Sequence, residues 1–281
     1  MSLSLVTNVQ SLKVQANLTA ATDTLNNAIE RMTTGYKINR AKDDAAGYSI
    51  ASQMEAKLSS YDVASNNAQI GLDMLTTTEE NYTLINDHLQ RIRDLAEQAA
   101  NGTYSTDSRT AIEAEIASRL AEIDRVSGSA EYNGMNLMDG SLGADVNIQV
   151  GIDGSANSRV TLVASLFSKA DAKTLLGEEN ADFAAACAST DAFQQLSTID
   201  AAIDNISSRV TTLGASQNRL ESALDAISVT TENLTSSLST VKDADIANES
   251  TRYLQAQILQ SAATTLLSTA NQTPSIALQL I

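Results

Sequence analysis

Residues 199–241 read IDAAIDNISSRVTTLGASQNRLESALDAISVTTENLTSSLSTV, and the spacing of their apolar side chains decides the fold. Ile199, Ile203, Ile206, Val210, Leu213, Gln217, Leu220, Leu224, Ile227, Thr231, Leu234, Leu238 and Val241 follow one another in alternating steps of four and three. This is a heptad seam with two polar interruptions, at Gln217 and Thr231, and it predicts one unbroken helix. At the usual helical rise such a segment spans roughly 64 Å, far beyond an average globular helix.

Two further seams stand upstream. One holds Ile85, Leu89, Ile92, Ala96 and Ala99, the other Ile112, Ile116, Leu120, Ile123 and Val126. Residues 101–108 between them read as a turn, with Gly102 a helix terminator and Asp107 or Ser108 the cap of the next helix. Three helices with matching stripes can share one core. Period-two alternation occurs in one place only, at Val146, Ile148, Val150 and Ile152. A turn at Asp153-Gly154 follows, and Val160 and Leu162 restart the pattern, so a β-hairpin is expected over about 146–163. Residues 127–142, with Gly128, Asn133-Gly134 and Asp139-Gly140, are expected to be irregular. The fold class is therefore mainly α: a long antiparallel helical bundle or coiled-coil rod built by the two halves of the chain, carrying a small β-hairpin.

Composition agrees and excludes several functions. The 281 residues include no Trp, three Phe, one Pro and twelve Gly, so the apolar content is chiefly Ala, Leu, Ile and Val and long helices meet few breakers. A net charge of −16 argues against a nucleic-acid surface and against attachment to anionic lipid. No stretch approaches the ~18 apolar residues of a membrane helix. Cys187 is the single cysteine and cannot form an intramolecular disulfide. His88, also single, reads as a solvent-facing helix residue, because zinc needs three or four ligands and a catalytic triad needs a placed nucleophile and acid. No phosphate-loop, dinucleotide, zinc-protease or nucleophile-elbow motif occurs. The carboxylate pairs Asp43-Asp44, Glu79-Glu80 and Glu178-Glu179 read as solvated charge. No catalytic residue, cofactor or metal is expected. Met1 to Leu5 lack a basic segment and an apolar run, unlike a cleaved signal peptide, and composition alone would indicate the cytoplasm.

The ends differ from the middle. Residues 1–29 carry only Lys13 and Asp23 as charged groups, and from Tyr253 to Ile281 there is none. Both ends still look helical, with Val9, Leu12, Ala16, Leu25, Ile29 and Met32 at one and Leu254, Ile258, Ala262 and Leu266 at the other. A helix without a charged outer face is expected to be covered. Lipid is the wrong cover for a segment with Gln255, Gln257, Gln260, Thr264, Thr265, Asn271 and Gln272. Protein remains, so the ends are expected to order on assembly. A link of about eight residues joins the first helix, ending at Gly35, to the next, which Asp43-Asp44 would start.

Several stretches carry a resemblance. Ile38-Asn-Arg-Ala-Lys-Asp-Asp-Ala-Ala-Gly47, Leu89-Gln-Arg-Ile-Arg-Asp-Leu-Ala96, Glu122-Ile-Asp-Arg-Val-Ser127, Gly214-Ala-Ser-Gln-Asn-Arg-Leu220, Asp243-Ala-Asp245, Ala256-Gln-Ile-Leu-Gln260 and Ala270-Asn-Gln272 resemble bacterial flagellin in order and spacing, over nearly the whole chain. The resemblance implies a helical homopolymer with the terminal helices paired as an inner filament domain, residues 1–42 with 242–281. It implies an adjacent rod domain from 43–185 and 186–241, and no separate outer domain, since only about 140–190 is available for one. Partners implied are further copies of the chain, the flagellar export apparatus, a chaperone and a cap, with location in the extracellular flagellum. A host Toll-like receptor is a further partner, through Arg91, Leu95, Gln98 and Glu115, which match the family's receptor patch; Glu97 stands where an apolar residue is usual. Asn39, Arg40, Lys42, Asp43 and Asp44 form the inter-domain link. The ending Ile276-Ala-Leu-Gln-Leu-Ile281 departs slightly from the common one. A hook–filament junction protein shares the terminal helices, and Gln90-Arg-Ile-Arg with Ala256-Gln-Ile-Leu favours flagellin over it.

Overall fold

Helices account for most of the chain. The computed structural model describes residues 7–189 and 192–279, with side chains through 272; Met1 to Leu5 and the last two residues of the C-terminal motif lie outside the described residues. In order, the elements are α1 (Val9–Thr34), α2 (Ala45–Ala100), α3 (Thr106–Ser129), β1 (Glu131–Tyr132), β2 (Met135–Asn136), β3 (Val146–Gln149), β4 (Arg159–Leu162), α4 (Ala172–Leu176), α5 (Asn180–Cys187), α6 (Phe193–Lys242) and α7 (Ile246–Gln279). They divide into two compact units, Met1–Leu58 with Glu232–Ile281, and Ser59–Thr231.

The core of the second unit is the one the seams foretell. All five α3 positions and all five of Ile85, Leu89, Ile92, Ala96 and Ala99 on α2 are buried. On α6 the deepest positions recur every seventh residue, at Ile199, Ile206, Leu213 and Leu220, while Ile203, Val210 and Leu224 are half-buried. The heptad thus splits into an inner and a flanking row. Leu234 and Leu238, in the first unit, are only half-buried.

Three local expectations change. Ser105, not Asp107 or Ser108, caps α3, its side chain accepting from the Ser108 N–H at 3.2 Å. Gly128 lies inside α3, where its cost of about 1 kcal/mol is smaller than the gain from burying Val126 in the same turn. The segment expected to be irregular then forms a hairpin in which Tyr132 pairs with Met135 across Asn133 (φ 49°) and Gly134 (φ 79°), the left-handed pair that a two-residue turn requires. The larger hairpin has Val146 opposite Leu162 and Gln149 opposite Arg159. β3 stops short of Ile152 because the N–H groups of Val150 and Gly151 both donate to the Ser158 carbonyl, at 2.9 Å each.

The segment between β4 and α6 is a packed wall of the core. Phe167, Phe183 and Cys187 are fully buried there. The Tyr82 hydroxyl donates to the Leu166 carbonyl at 2.9 Å, and Arg209 donates to the Tyr82 oxygen at 3.2 Å and to the Ser168 carbonyl at 3.0 Å. Asp124 on α3 accepts from the Ala172 N–H at 2.8 Å and from the Asn180 amide, tying down both short helices. Burial pushes the Tyr82 hydroxyl pKa up, against the opposing Arg209.

Ile92→Ala should destabilise the protein by about 2–5 kcal/mol by leaving a cavity, whereas Leu84→Ala on the exposed face of the same helix should stay within about 0.5 kcal/mol. Urea titration followed by circular dichroism separates the two; equal losses would contradict this description of the core.

Candidate assembly surface

Helices α1 and α7 pair antiparallel through small side chains. The α1 seam is Val14, Leu18, Ala21, Leu25, Ala28 and Met32, with Ala21 and Ala28 buried. The α7 seam is Glu249, Tyr253, Ala256, Gln260, Ala263, Leu267 and Ala270, in which Glu249, Ala256 and Ala263 are buried. Both keep the alternation of four and three. Alanine at the deepest positions lets the two backbones approach closely, and polar side chains cross the gap. Asn8 Nδ2 donates to the Ala270 carbonyl at 2.8 Å, Gln260 Nε2 to Thr22 Oγ1 at 3.3 Å, and Arg31 to the buried Glu249 at 3.1 Å. Arg252 reaches the same Glu249 oxygen at 3.1 Å.

Of the stripes expected from sequence, Leu25 and Met32 join the seam and most of the other large residues face outward. Val9, Leu12 and Ile29 on α1 are exposed, and on α7 Leu254, Ile258 and Leu266 are 56%, 67% and 58% exposed, with Leu259 beside them. The alanines set the close approach, so these larger residues lie outside the intramolecular contact. What remains outside on α7 is a row of large apolar side chains on a helix that carries no charge from Tyr253 onward. It borders a cleft of about 440 Å³ lined by Val14, Asn17, Ala20, Thr24, Leu259 and Leu266 among others.

The link from Gly35 to Asp44 is built rather than slack. Gly35 ends α1 in the left-handed conformation at φ 77°, and its N–H donates to the Arg31 carbonyl. Tyr36 bridges Asp243, the Lys37 N–H donates to the Lys242 carbonyl at 2.8 Å, and the Ala244 N–H donates to the Gly35 carbonyl at 2.8 Å. Lys242 sits over the Tyr36 ring at 4.3 Å and donates to Glu55. Of the link residues, Asp43 accepts from the N–H groups of Asn39 and Arg40 at 3.2 and 3.0 Å, and the Arg40 side chain pairs with Glu30 at 2.9 Å. Asp44 caps α2 by accepting from the Ala46 and Gly47 N–H groups. Lys42 is exposed. Bonding from the Arg40 N–H holds the Asp43 carboxyl below the ordinary range.

Of Arg91, Leu95, Gln98 and Glu115, the first and last are brought together. Arg91 pairs with Glu115 at 3.1 Å, Arg119 reaches Glu115 at 3.6 Å, and Gln98 donates to the Tyr104 hydroxyl at 2.7 Å. Leu95 is 2% exposed and supports these groups from within the core. His88 is half-buried rather than solvent-facing, with Arg119 against its ring nitrogen, and burial first, then the Arg119 charge, lowers its pKa. Burial, aided by Glu178, pushes the Cys187 thiol up to about 12. Among the described residues no group of three or more His, Cys, Asp or Glu could hold a metal, and no helix is long and apolar enough to cross a membrane.

Comparison with known proteins points one way. Residues 5–142 match the family described as the bacterial flagellin N-terminal helical region, and residues 196–281 match the bacterial flagellin C-terminal helical region. Flagellin FlaB1 of Treponema pallidum is 32% identical over 98% of both chains. The flagellar filament 30.7 kDa core protein of Treponema maltophilum is 31% identical over 94% of both. A solved structure assigned as a flagellar hook-associated protein of Vibrio parahaemolyticus shares the fold, with a TM-score of 0.59, 16% identity, and coverage of 72% of this chain and 100% of that one.

Two measurements probe the link. A methyl group on Gly47 would lie 2.5 Å from Asp44 Oδ2 and 2.7 Å from Ile38 Cδ1. Gly47→Ala should therefore displace the Asp44 cap and cost on the order of 1 kcal/mol in thermal unfolding of the first unit; an unchanged midpoint would contradict the packing. Because the folded Asp43 pKa is depressed, its contribution is present above the unfolded value and lost as pH falls through the folded one. The protection of the Asn39 and Arg40 amides, taken relative to their intrinsic exchange rates, should fall only at a pH below the ordinary aspartate range, and Asp43→Asn should remove that pH dependence.

Proposed function

The chain belongs to the bacterial flagellin family and is a structural subunit of the flagellar filament, and from that premise we propose how it assembles. The outward apolar faces of α7 and α1 are buried against further copies of the chain. The observation that carries this is the exposure of Leu254, Ile258 and Leu266 on a helix whose side chains from Tyr253 onward include no charge. Residues 1–42 and 242–281 act together as the inner domain of the polymer, and 43–185 with 186–241 as the adjacent one. Contacts between non-equivalent faces do not close on themselves, so the product is an open helical polymer. The family's structural role and the absence of any catalytic constellation among the described residues fit a protein that works by assembling.

Export follows the same logic. The chain leaves the cell through the flagellar type III apparatus, escorted by a chaperone and added beneath a cap. Neutral polar ends suit passage through a channel, since they would not be trapped by wall charges of either sign. Arg91, Gln98 and Glu115, resting on Leu95, form a surface patch used in packing between subunits and open to a host Toll-like receptor when the protein is monomeric.

Ile258→Asp combined with Leu266→Asp tests the reading, because both side chains point away from the α1 seam. The variant should keep its helical circular dichroism yet form no filaments by negative-stain microscopy under precipitating salt that polymerises the parent protein. Filaments of the variant at the parent's concentration would overturn the assignment of this face.

A further inference from the structure

The sequence holds two Asn-Gly pairs, Asn101-Gly102 and Asn133-Gly134, and the fold treats them differently. Asn101 follows the last residue of α2, in the turn that leads to α3. Asn101, Gly102 and Thr103 are all exposed, and a side chain placed at Gly102 would meet nothing within 4 Å. The Asn101 side-chain oxygen accepts two hydrogen bonds, from the Thr103 N–H and from the Thr103 hydroxyl, at 3.2 Å each. Among the described residues neither the Gly102 N–H nor the Asn101 side-chain amide donates to any protein group. The backbone bonds of the turn are long, 3.2 Å from the Asn101 N–H to the Gln98 carbonyl and 3.4 Å from the Tyr104 N–H to the Asn101 carbonyl.

These are the parts of an intramolecular substitution. Donors on the Asn101 Oδ1 draw electrons from Cγ and bind more strongly as that oxygen gains charge, as in an oxyanion hole. The backbone nitrogen of Gly102 is next to Cγ in the chain, unbonded, and has no side chain of its own to shield it. Asn133 has the same neighbour but is held. It sits at φ 49° inside two strand pairs, Tyr132 with Met135 and Glu131 with Asn136. Closing a ring there would rotate a peptide plane that those pairs fix.

We propose that Asn101 is a site of spontaneous deamidation, promoted by the donors that Thr103 places on its side chain. Hydroxide removes the Gly102 amide proton, and the nitrogen attacks Asn101 Cγ, sending the carbonyl electron pair to Oδ1. When that pair returns, the Cγ–Nδ2 bond breaks and ammonia departs with a proton taken from water. Water then opens the five-membered imide at either carbonyl, giving aspartate or its β-linked isomer. Both products set a negative charge beside the negative end of the α2 dipole. The β-linked one also adds a methylene to the backbone of the turn, next to the Gln98–Tyr104 contact. No step reverses the loss of ammonia, so the modified fraction grows with the age of the chain.

Incubation of the purified full-length chain at neutral pH, followed by peptide mapping in the mass spectrometer and enzymatic methylation of isoaspartate, tests this. Asn101 should be lost about tenfold faster than Asn133 or more, the effect of one or two net hydrogen bonds. In concentrated urea, where the fold no longer distinguishes them, the two should react at similar rates. Thr103→Ala deletes the hydroxyl donor from an exposed position, so it should leave circular dichroism unchanged and slow the reaction at Asn101 about two- to tenfold. Asn101 matching or outlasting Asn133 in the folded chain would overturn the proposal, as would a Thr103→Ala variant that reacts at the parent's rate.

Discussion

Alanine at the deepest positions of α1 and α7 is the constraint from which the rest follows. Ala21, Ala28, Ala256 and Ala263 let two helices pair at close range, with Leu18, Leu25 and Leu267 half-buried beside them, while Leu12, Leu254, Ile258 and Leu266 stay outside. A pair with leucine in those positions would bury its greasy residues internally and present a polar exterior. This one leaves part of its large apolar surface outside the pair, and a bundle with little internal burial is easily opened.

The second unit obeys the ordinary rule. There Leu89, Ile92, Ile116, Leu120, Ile206 and Leu213 fill one core, and the 164–188 segment closes it with Phe167 and Phe183. Within the first unit, the link between α1 and α2 is fixed by backbone bonds from Lys37 and Ala244 and by the carboxylates of Asp43 and Asp44, short polar fastenings that cost little in burial.

Much of this was legible because helical periodicity is a strong signal: the three long seams and the 146–163 hairpin stand where their spacing places them. The failures have physical causes. At the ends, Leu254, Ile258 and Leu266 form an outward stripe, as uncharged helices awaiting cover require, but the inner seam of Ala256, Gln260 and Ala263 carries too little hydrophobicity to show in the periodicity. The helices at 172–187 are too short for periodicity to show. Their anchor, Asp124, is 48 and 56 residues away from its partners, a distance no local pattern bridges. Arg209 is similar: on the helix it reads as a solvated charge, and only the fold brings Tyr82 and Ser168 to it.

Hydrogen exchange compared between monomer and filament tests the central claim most directly. Amides of α1 and α7 should exchange quickly in the monomer and become protected on polymerisation, while those around Leu89, Leu120 and Ile206 should be protected in both. Equal protection of α1 and α7 in the two states would contradict it, because the terminal pair would then be complete without its neighbours.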